Sequence, residues 1–203
     1  MKYIMSAKKH LVDTMKKLYS QGHISMRDGN ISFKPKNSEY FYISAGSVKK
    51  DELSLDQIIR VDFDSDKNLY YNKDFIYQPS REINMHSFLQ TDPGYYGKNT
   101  FIVHAHPKNI ISFMGINKHR ELDTIKDAFP ELNVGKIGKN VKYHDAGSQK
   151  LADNCFRNLV NKDIVGLERH GSLSIGENVD IVFENIETLE YYIKCFLNAK
   201  ELN

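Results

Sequence analysis

The sequence predicts a single α/β domain in which helices pack on a central sheet, mixed or antiparallel. Three observations lead there. The chain opens and closes on long stretches with apolar residues at helical spacing. Between them, short runs rich in Ile, Val, Phe and Tyr are set off by Gly, Asn, Ser and charged turns, the mark of strands. At 203 residues the chain suits one domain with a proper core, and it shows no internal repeat, low-complexity tract or linker.

Residues 4–20 place Ile4, Leu11, Val12, Met15, Leu18 and Tyr19 mostly at helical spacing, with Lys8, Lys9, Lys16 and Lys17 opposite. This opening helix ends near Gly22. "NISFKP", "YFYISA" and "IIRVDFD" follow as short strands. "SREINMHSFLQ" reads as a helix capped by Ser80, with Glu82 in its first turn, where a carboxylate suits the positive end of the helix dipole. The strand "TFIVHAH" comes next, and Pro107 starts a helix at a natural first-turn position. From 117 to 140 the pattern is mixed. "SQKLADNCFRNLVNK" is helical and capped by Ser148, and "DIVGLERHGSLSIG" is a pair of strands broken at His170 and Gly171. The longest helix, "VDIVFENIETLEYYIKCFLNAK", carries Val182, Ile186, Leu189, Ile193 and Phe196 on one face.

Apolar residues make up 40% and charged residues 27%, ordinary values for a globular protein. With 28 Lys and Arg interspersed among 26 Asp and Glu, a net charge of +2 implies no general affinity for nucleic acid or membrane. Cys155 and Cys195 sit in helix-like stretches without CxxC spacing and read as small core residues in a reducing compartment. The opening residues have no apolar leader segment and no run approaches membrane-spanning length. A soluble, cytoplasmic protein is the expectation.

"FIVHAHPKN", residues 101–109, holds the sharpest chemical signal. Side chains at i and i+2 of a strand share a face, so His104 and His106 project together from the end of an apolar run. A lone histidine is ordinarily a satisfied core or surface residue, but two neutral imidazoles on one face form a bidentate metal site. A catalytic metal centre needs a third protein ligand and an open position for substrate. His170 is the leading candidate, since "ERHGSLSIG" also sets a histidine at a strand end, with Gly171 to let the backbone turn and leave room. His10, His23 and His119 lack such a context, His144 lies in a loop, and His86 follows Glu82 by four residues on a helix. Beside a three-histidine site, Glu82 would complete the coordination at rest and act as acid or base when substrate takes its place. The loops "RDGNIS" and "ISAGSV" are either plain turns or, with the helix start at Ser80, a source of backbone N–H groups for a phosphate.

In this order, "GHISMRDGNIS", "FYISAGSVKKDELSLDQIIRVD", "QPSREINMH", "FIVHAHPKNI", "YHDAGSQKLADN" and "ERHGSLSIG" resemble the successive motifs of the class II aldolase/adducin family, over essentially the whole chain. The paired histidines with the downstream His-Gly are the most specific element. The branch most resembled is the L-fuculose-phosphate aldolases, because the glutamate of "PSRE" is similar to their acid/base, where the 4-epimerases usually carry aspartate. The resemblance implies a three-layer fold and a divalent metal, usually zinc, held by His104, His106 and His170. Glu82 would be the acid/base and a resting ligand. Substrate-phosphate contacts are implied at Gly29 and Asn30, at Gly46 and Ser47, and at Ser80 and Arg81. A homotetramer with active sites at subunit boundaries is implied too. The substrate would be a small ketose phosphate, cleaved reversibly to dihydroxyacetone phosphate and an aldehyde.

The usual "TPSG" or "TPTG" phosphate loop reads "SAGS" here, and the second serine of "PSSE" is Arg81. The tyrosine that those aldolases supply from a C-terminal tail has no assigned counterpart, the sequence running to Asn203 soon after the last helix. Epimerisation, dehydration or decarboxylation of a sugar acid phosphate is therefore the alternative outcome. A non-catalytic adducin-like interaction module is the rival of another class, and the three histidines with Glu82 argue against it. Imidazole plus carboxylate also suits manganese, cobalt or iron.

Overall fold

The computed structural model describes residues 2–115 and 120–201, and His119 lies outside them. Helix α1 (Lys2–Ser20) leads into β1 (Asn30–Lys34), β2 (Tyr40–Ser44), β3 (Ile58–Phe63) and the short β4 (Leu69–Tyr70), which no sequence signal marks. Next come α2 (Ile83–Gln90), β5 (Thr100–Ala105), α3 (Lys108–Met114) and the single turn α4 (Ile125–Ala128). The chain closes with α5 (Gln149–Leu159), β6 (Ile164–Leu167), β7 (Gly171–Gly176) and the 23-residue α6 (Val179–Glu201). One seven-stranded sheet runs in the order β4-β3-β2-β1-β5-β7-β6, with every neighbouring pair antiparallel. Parallel bridges from Ile137 to Ile164 and from Val141 to Leu167 line its β6 edge, making the sheet mixed there.

Strand alternation sorts the two faces of this sheet. On β5, Phe101, Val103 and Ala105 enter a core shared with Leu11 and Met15 of α1, Ile110 of α3 and the α6 stripe. That stripe is the expected one: Val182, Ile186, Leu189 and Ile193 are buried, and Phe196 packs partly buried beside them. Ile102 points the other way, into a second core with Met85 and Leu89 of α2 and Leu151, Cys155 and Leu159 of α5. Helices cover both faces, which gives three layers. Among the described residues no helix is long and apolar enough to cross a membrane.

Local details match the sequence in part. Ser148 caps α5 by accepting the Leu151 N–H at 3.2 Å. Ser80 does not cap α2: the helix begins at Ile83, Glu82 holds the cap position, and the Ser80 hydroxyl accepts the Glu82 N–H at 3.3 Å. Pro107 stands at the cap of α3, one residue before its first turn. Cys155 is buried as expected, whereas Cys195 is exposed, on a side of α6 that covers no core. Within 120–140 the mixed pattern corresponds to a 3-10 turn at Leu122–Thr124, the short α4 and an extended stretch reaching the β6 edge.

Gly171 has a role other than the expected one. The left-handed residue of the β6–β7 turn is Arg169, at φ 57°. A Cβ on Gly171 would stand 2.1 Å from the Ala105 carbonyl oxygen and 3.0 Å from His106 Cδ2. The space a side chain would need is filled by β5 itself, so glycine here serves close strand approach. Gly171→Ala is expected to destabilise the chain by roughly 1–3 kcal/mol through overpacking, read as a lower urea midpoint. Gly97→Ala, whose added Cβ meets nothing within 4 Å, is the control that stays near wild type; equal midpoints would contradict this role for Gly171.

Candidate metal centre and active site

His104 lies on the interior strand β5, flanked by β1 and β7 and fully buried on the α2 face. Its Nδ1–H donates to the Ser172 carbonyl of β7 at 2.9 Å, which turns Nε2 and its lone pair inward. His106 follows just beyond the strand, its main-chain N–H held by the His23 carbonyl at 3.0 Å. Its Nδ1 faces the Asp28 carboxylate at 3.7 Å and its Nε2 stands 2.9 Å from His104 Nε2. His170 comes from the β6–β7 turn, where its N–H donates to the Leu167 carbonyl at 3.0 Å. The three rings offer nitrogens that all lie within 4.8 Å of one another.

Glu82 enters from the other side, at the start of α2. Its Oε2 accepts from Asn30 Nδ2 at 2.8 Å and lies 3.2 Å from His104 Nε2, while Oε1 lies 3.4 Å from His170 Nε2. The carboxylate faces the imidazoles, and from the cap position it makes no bond to the helix amides. Oε1 is buried and has no hydrogen-bond donor.

The charges follow from this crowding. Burial opposes ionisation of Glu82, yet His104, Asn30 and His170 together hold its carboxyl well below the usual range. Burial likewise disfavours a cationic His104, but the Glu82 carboxylate beside it raises its pKa. Burial, with His104 close by adding, pushes His106 down to about 3 and His170 to about 4. Two imidazoles are therefore neutral at pH 7, and the pair of nitrogens 2.9 Å apart can share one proton at most. Converging nitrogens with lone pairs inward, plus one orphaned carboxylate oxygen, form a donor set that fits a divalent cation.

In front of the histidines opens a cavity of about 340 Å³. All of the expected phosphate contacts, Gly29, Asn30, Gly46, Ser47, Ser80 and Arg81, line it together with Glu82, His106 and His170. The Gly46 loop and the Ser80 loop run side by side, joined by an Ala45–Pro79 bridge. Their own N–H groups are engaged there, Gly46 with the Gln78 carbonyl at 3.0 Å and Ser80 with the Ser44 carbonyl at 3.2 Å. The Asn30 carboxamide is bonded to Glu82 and His86. In the altered "SAGS" loop, Ser47 adopts φ 59°, a left-handed geometry that glycine takes without strain.

Sequence reasoning missed two cations of this cavity. Arg27 lines it and donates to the Ser47 carbonyl. Lys50 lines it while only 1% exposed, its Nζ donating to the Val48 carbonyl at 3.1 Å, and burial pushes its pKa down to about 8. Both flank the glycine loops in sequence, but a charge beside a turn ordinarily reads as solvated. With Arg81 they give the cavity wall three positive side chains.

Comparison with known proteins agrees with this geometry. A family model described as the class II aldolase and adducin N-terminal domain matches residues 9–197. The L-fuculose phosphate aldolase of Methanocaldococcus jannaschii is 27% identical over 195 residues, covering 94% of this chain and 95% of that protein. The 5-deoxy-D-ribulose 1-phosphate aldolase of Bacillus thuringiensis is 22% identical over 202 residues, 98% of this chain and 88% of that protein. Among solved structures, a sugar-phosphate aldolase from Thermotoga maritima superposes with a TM-score of 0.80 at 21% identity, over 99% of this chain and 97% of that one. The last likeness concerns the fold alone. With the family model matched over nearly its full length, the chain belongs to the class II aldolase and adducin family.

Proposed function

We propose that this protein reversibly cleaves a small ketose phosphate, of the L-fuculose 1-phosphate type, to dihydroxyacetone phosphate and an aldehyde. The observation that carries this reading is the buried Glu82 oxygen, without a donor, set among three inward-facing imidazoles. His104, His106 and His170 would hold a divalent ion, with Glu82 as fourth ligand at rest. Such an ion supplies Lewis acidity toward the ketose carbonyl and its neighbouring hydroxyl, stabilising the negative charge that develops as the carbon–carbon bond breaks. In cleavage the hydroxyl whose carbon becomes the aldehyde gives up its proton. Glu82, freed when substrate takes its place, takes up a proton and delivers it to the carbon left electron-rich beside the carbonyl, and the transfers reverse in the condensing direction. Arg27, Lys50 and Arg81 attract the phosphate, so that the reacting end of the sugar meets the histidines. As parts of the same proposal the ion is zinc, the assembly a homotetramer with sites at subunit boundaries, and the compartment the cytoplasm.

A second reading has its own observation. Three cations around one cavity suit a substrate with a carboxylate as well as a phosphate. The same chemistry on a sugar acid phosphate would end in epimerisation, dehydration or decarboxylation. A non-catalytic interaction module has no use for the buried Glu82 and histidine cluster.

Glu82→Gln is expected to lower kcat by about 10²- to 10⁴-fold, the usual contribution of a positioned acid/base. Undiminished cleavage by that variant would sink the assignment. A panel of phosphorylated ketoses and sugar acid phosphates, followed by direct product analysis, separates the two readings. Dihydroxyacetone phosphate with an aldehyde is the expected outcome, and release of carbon dioxide or an epimer favours the second.

A further inference from the structure

Behind Glu82 a line of buried polar side chains crosses from α2 to the sheet. Gln90 Nε2 is 3.2 Å from the Thr100 carbonyl and 2.8 Å from Ser32 Oγ. Ser32 Oγ is 2.7 Å from Nδ1 of His86, a fully buried ring. His86 Nε2 meets Asn30 Oδ1, and Asn30 Nδ2 is 2.8 Å from Glu82 Oε2.

Both ends of this line can only accept. A carbonyl has no proton, so the Gln90 amide must present its NH2 to Thr100, and hence to Ser32. The Ser32 hydroxyl then accepts from Gln90 and gives its own proton to His86 Nδ1. Burial pushes the His86 pKa down to about 3, which leaves the fully buried ring one proton. That proton sits on Nε2 and points at Asn30 Oδ1. At the far end the Glu82 carboxylate accepts from Asn30 Nδ2, the same direction reached from the opposite terminus.

We propose that Gln90, Ser32, His86 and Asn30 form a one-way hydrogen-bond chain that anchors Glu82 Oε2 and leaves Oε1 as the oxygen that exchanges the proton. His86 is a positioning residue in it: four residues along α2 from Glu82, it fixes which face of the Asn30 carboxamide the carboxylate meets. With Asn30 turned over, a carbonyl oxygen would face the buried carboxylate and repel it. This role rests on the acid/base reading of Glu82.

Two measurements on the intact protein test it. Nitrogen-15 NMR of the labelled histidines should show His86 as a neutral Nε2–H tautomer, and an Nδ1–H tautomer would reverse the chain and overturn the proposal. In kinetics, His86→Leu should lower kcat by about 10- to 100-fold, the usual cost of losing an outer-shell partner, with KM changed far less. His86→Gln, whose carboxamide can accept from Ser32 and donate to Asn30, should restore most of that loss. Equal loss in both variants, or wild-type turnover in His86→Leu, overturns the positioning role. The Glu82→Gln enzyme separates the layers: if it is inactive while His86→Leu is not, only the chain fails, and if it is fully active the acid/base reading fails.

Discussion

The Glu82 carboxylate sets the electrostatic demand on which the site is built, since it is ionised yet only 8% exposed. A buried carboxylate is tolerated where it is paired and hydrogen-bonded, and costs several kcal/mol where it is not. The two partners of its Oε2, His104 and Asn30, come from neighbouring strands and stand opposite each other in the β1–β5 register. A slip of that pairing by one residue would send either side chain to the other face of the sheet. The register at the centre of the sheet thus decides whether the site exists.

From this pairing the other parts follow. β7 lies against β5 with Ser172 opposite Ala105, which brings its carbonyl to His104 and the β6–β7 turn to the same end of the sheet. Gly171 lets the strands meet closely enough for His170 to reach Glu82. Imidazoles, the Glu82 and Asp28 carboxylates and the cations Arg27, Lys50 and Arg81 share the wall of the cavity. Such a wall suits a small molecule with a polar reacting end and an anionic handle. A fold of this kind hosts several functions, so it is these side chains and not the sheet that argue for chemistry.

Much of the site was legible in the sequence, because its clustered histidines obey local rules. His104 and His106 share a face by strand alternation, and His170 declares itself by a strand end and a glycine. Glu82 and the glycine loops gained meaning from the order of motifs along the chain. The hydrogen-bond chain was invisible, since its members pair across 54 to 58 residues with no periodicity to betray them. Lys50 was hidden for a related reason: nothing in "VKKDEL" separates a buried ammonium from a solvated one. Ser80 looks like a cap in sequence, but it serves the turn before the helix, accepting the Glu82 N–H, and α2 starts at Ile83. Cys195 fails in the simplest way, since a helix has an outer side that composition does not label.

The central claim is that His104, His106, His170 and Glu82 make a divalent-metal centre. Metal analysis of the purified chain after equilibration with zinc, alongside a His104→Ala/His170→Ala double variant, tests it most directly. The account predicts a single tightly held divalent ion per chain in the wild type and its loss in the variant. A wild type that binds no ion, or a variant that retains it, would contradict the account.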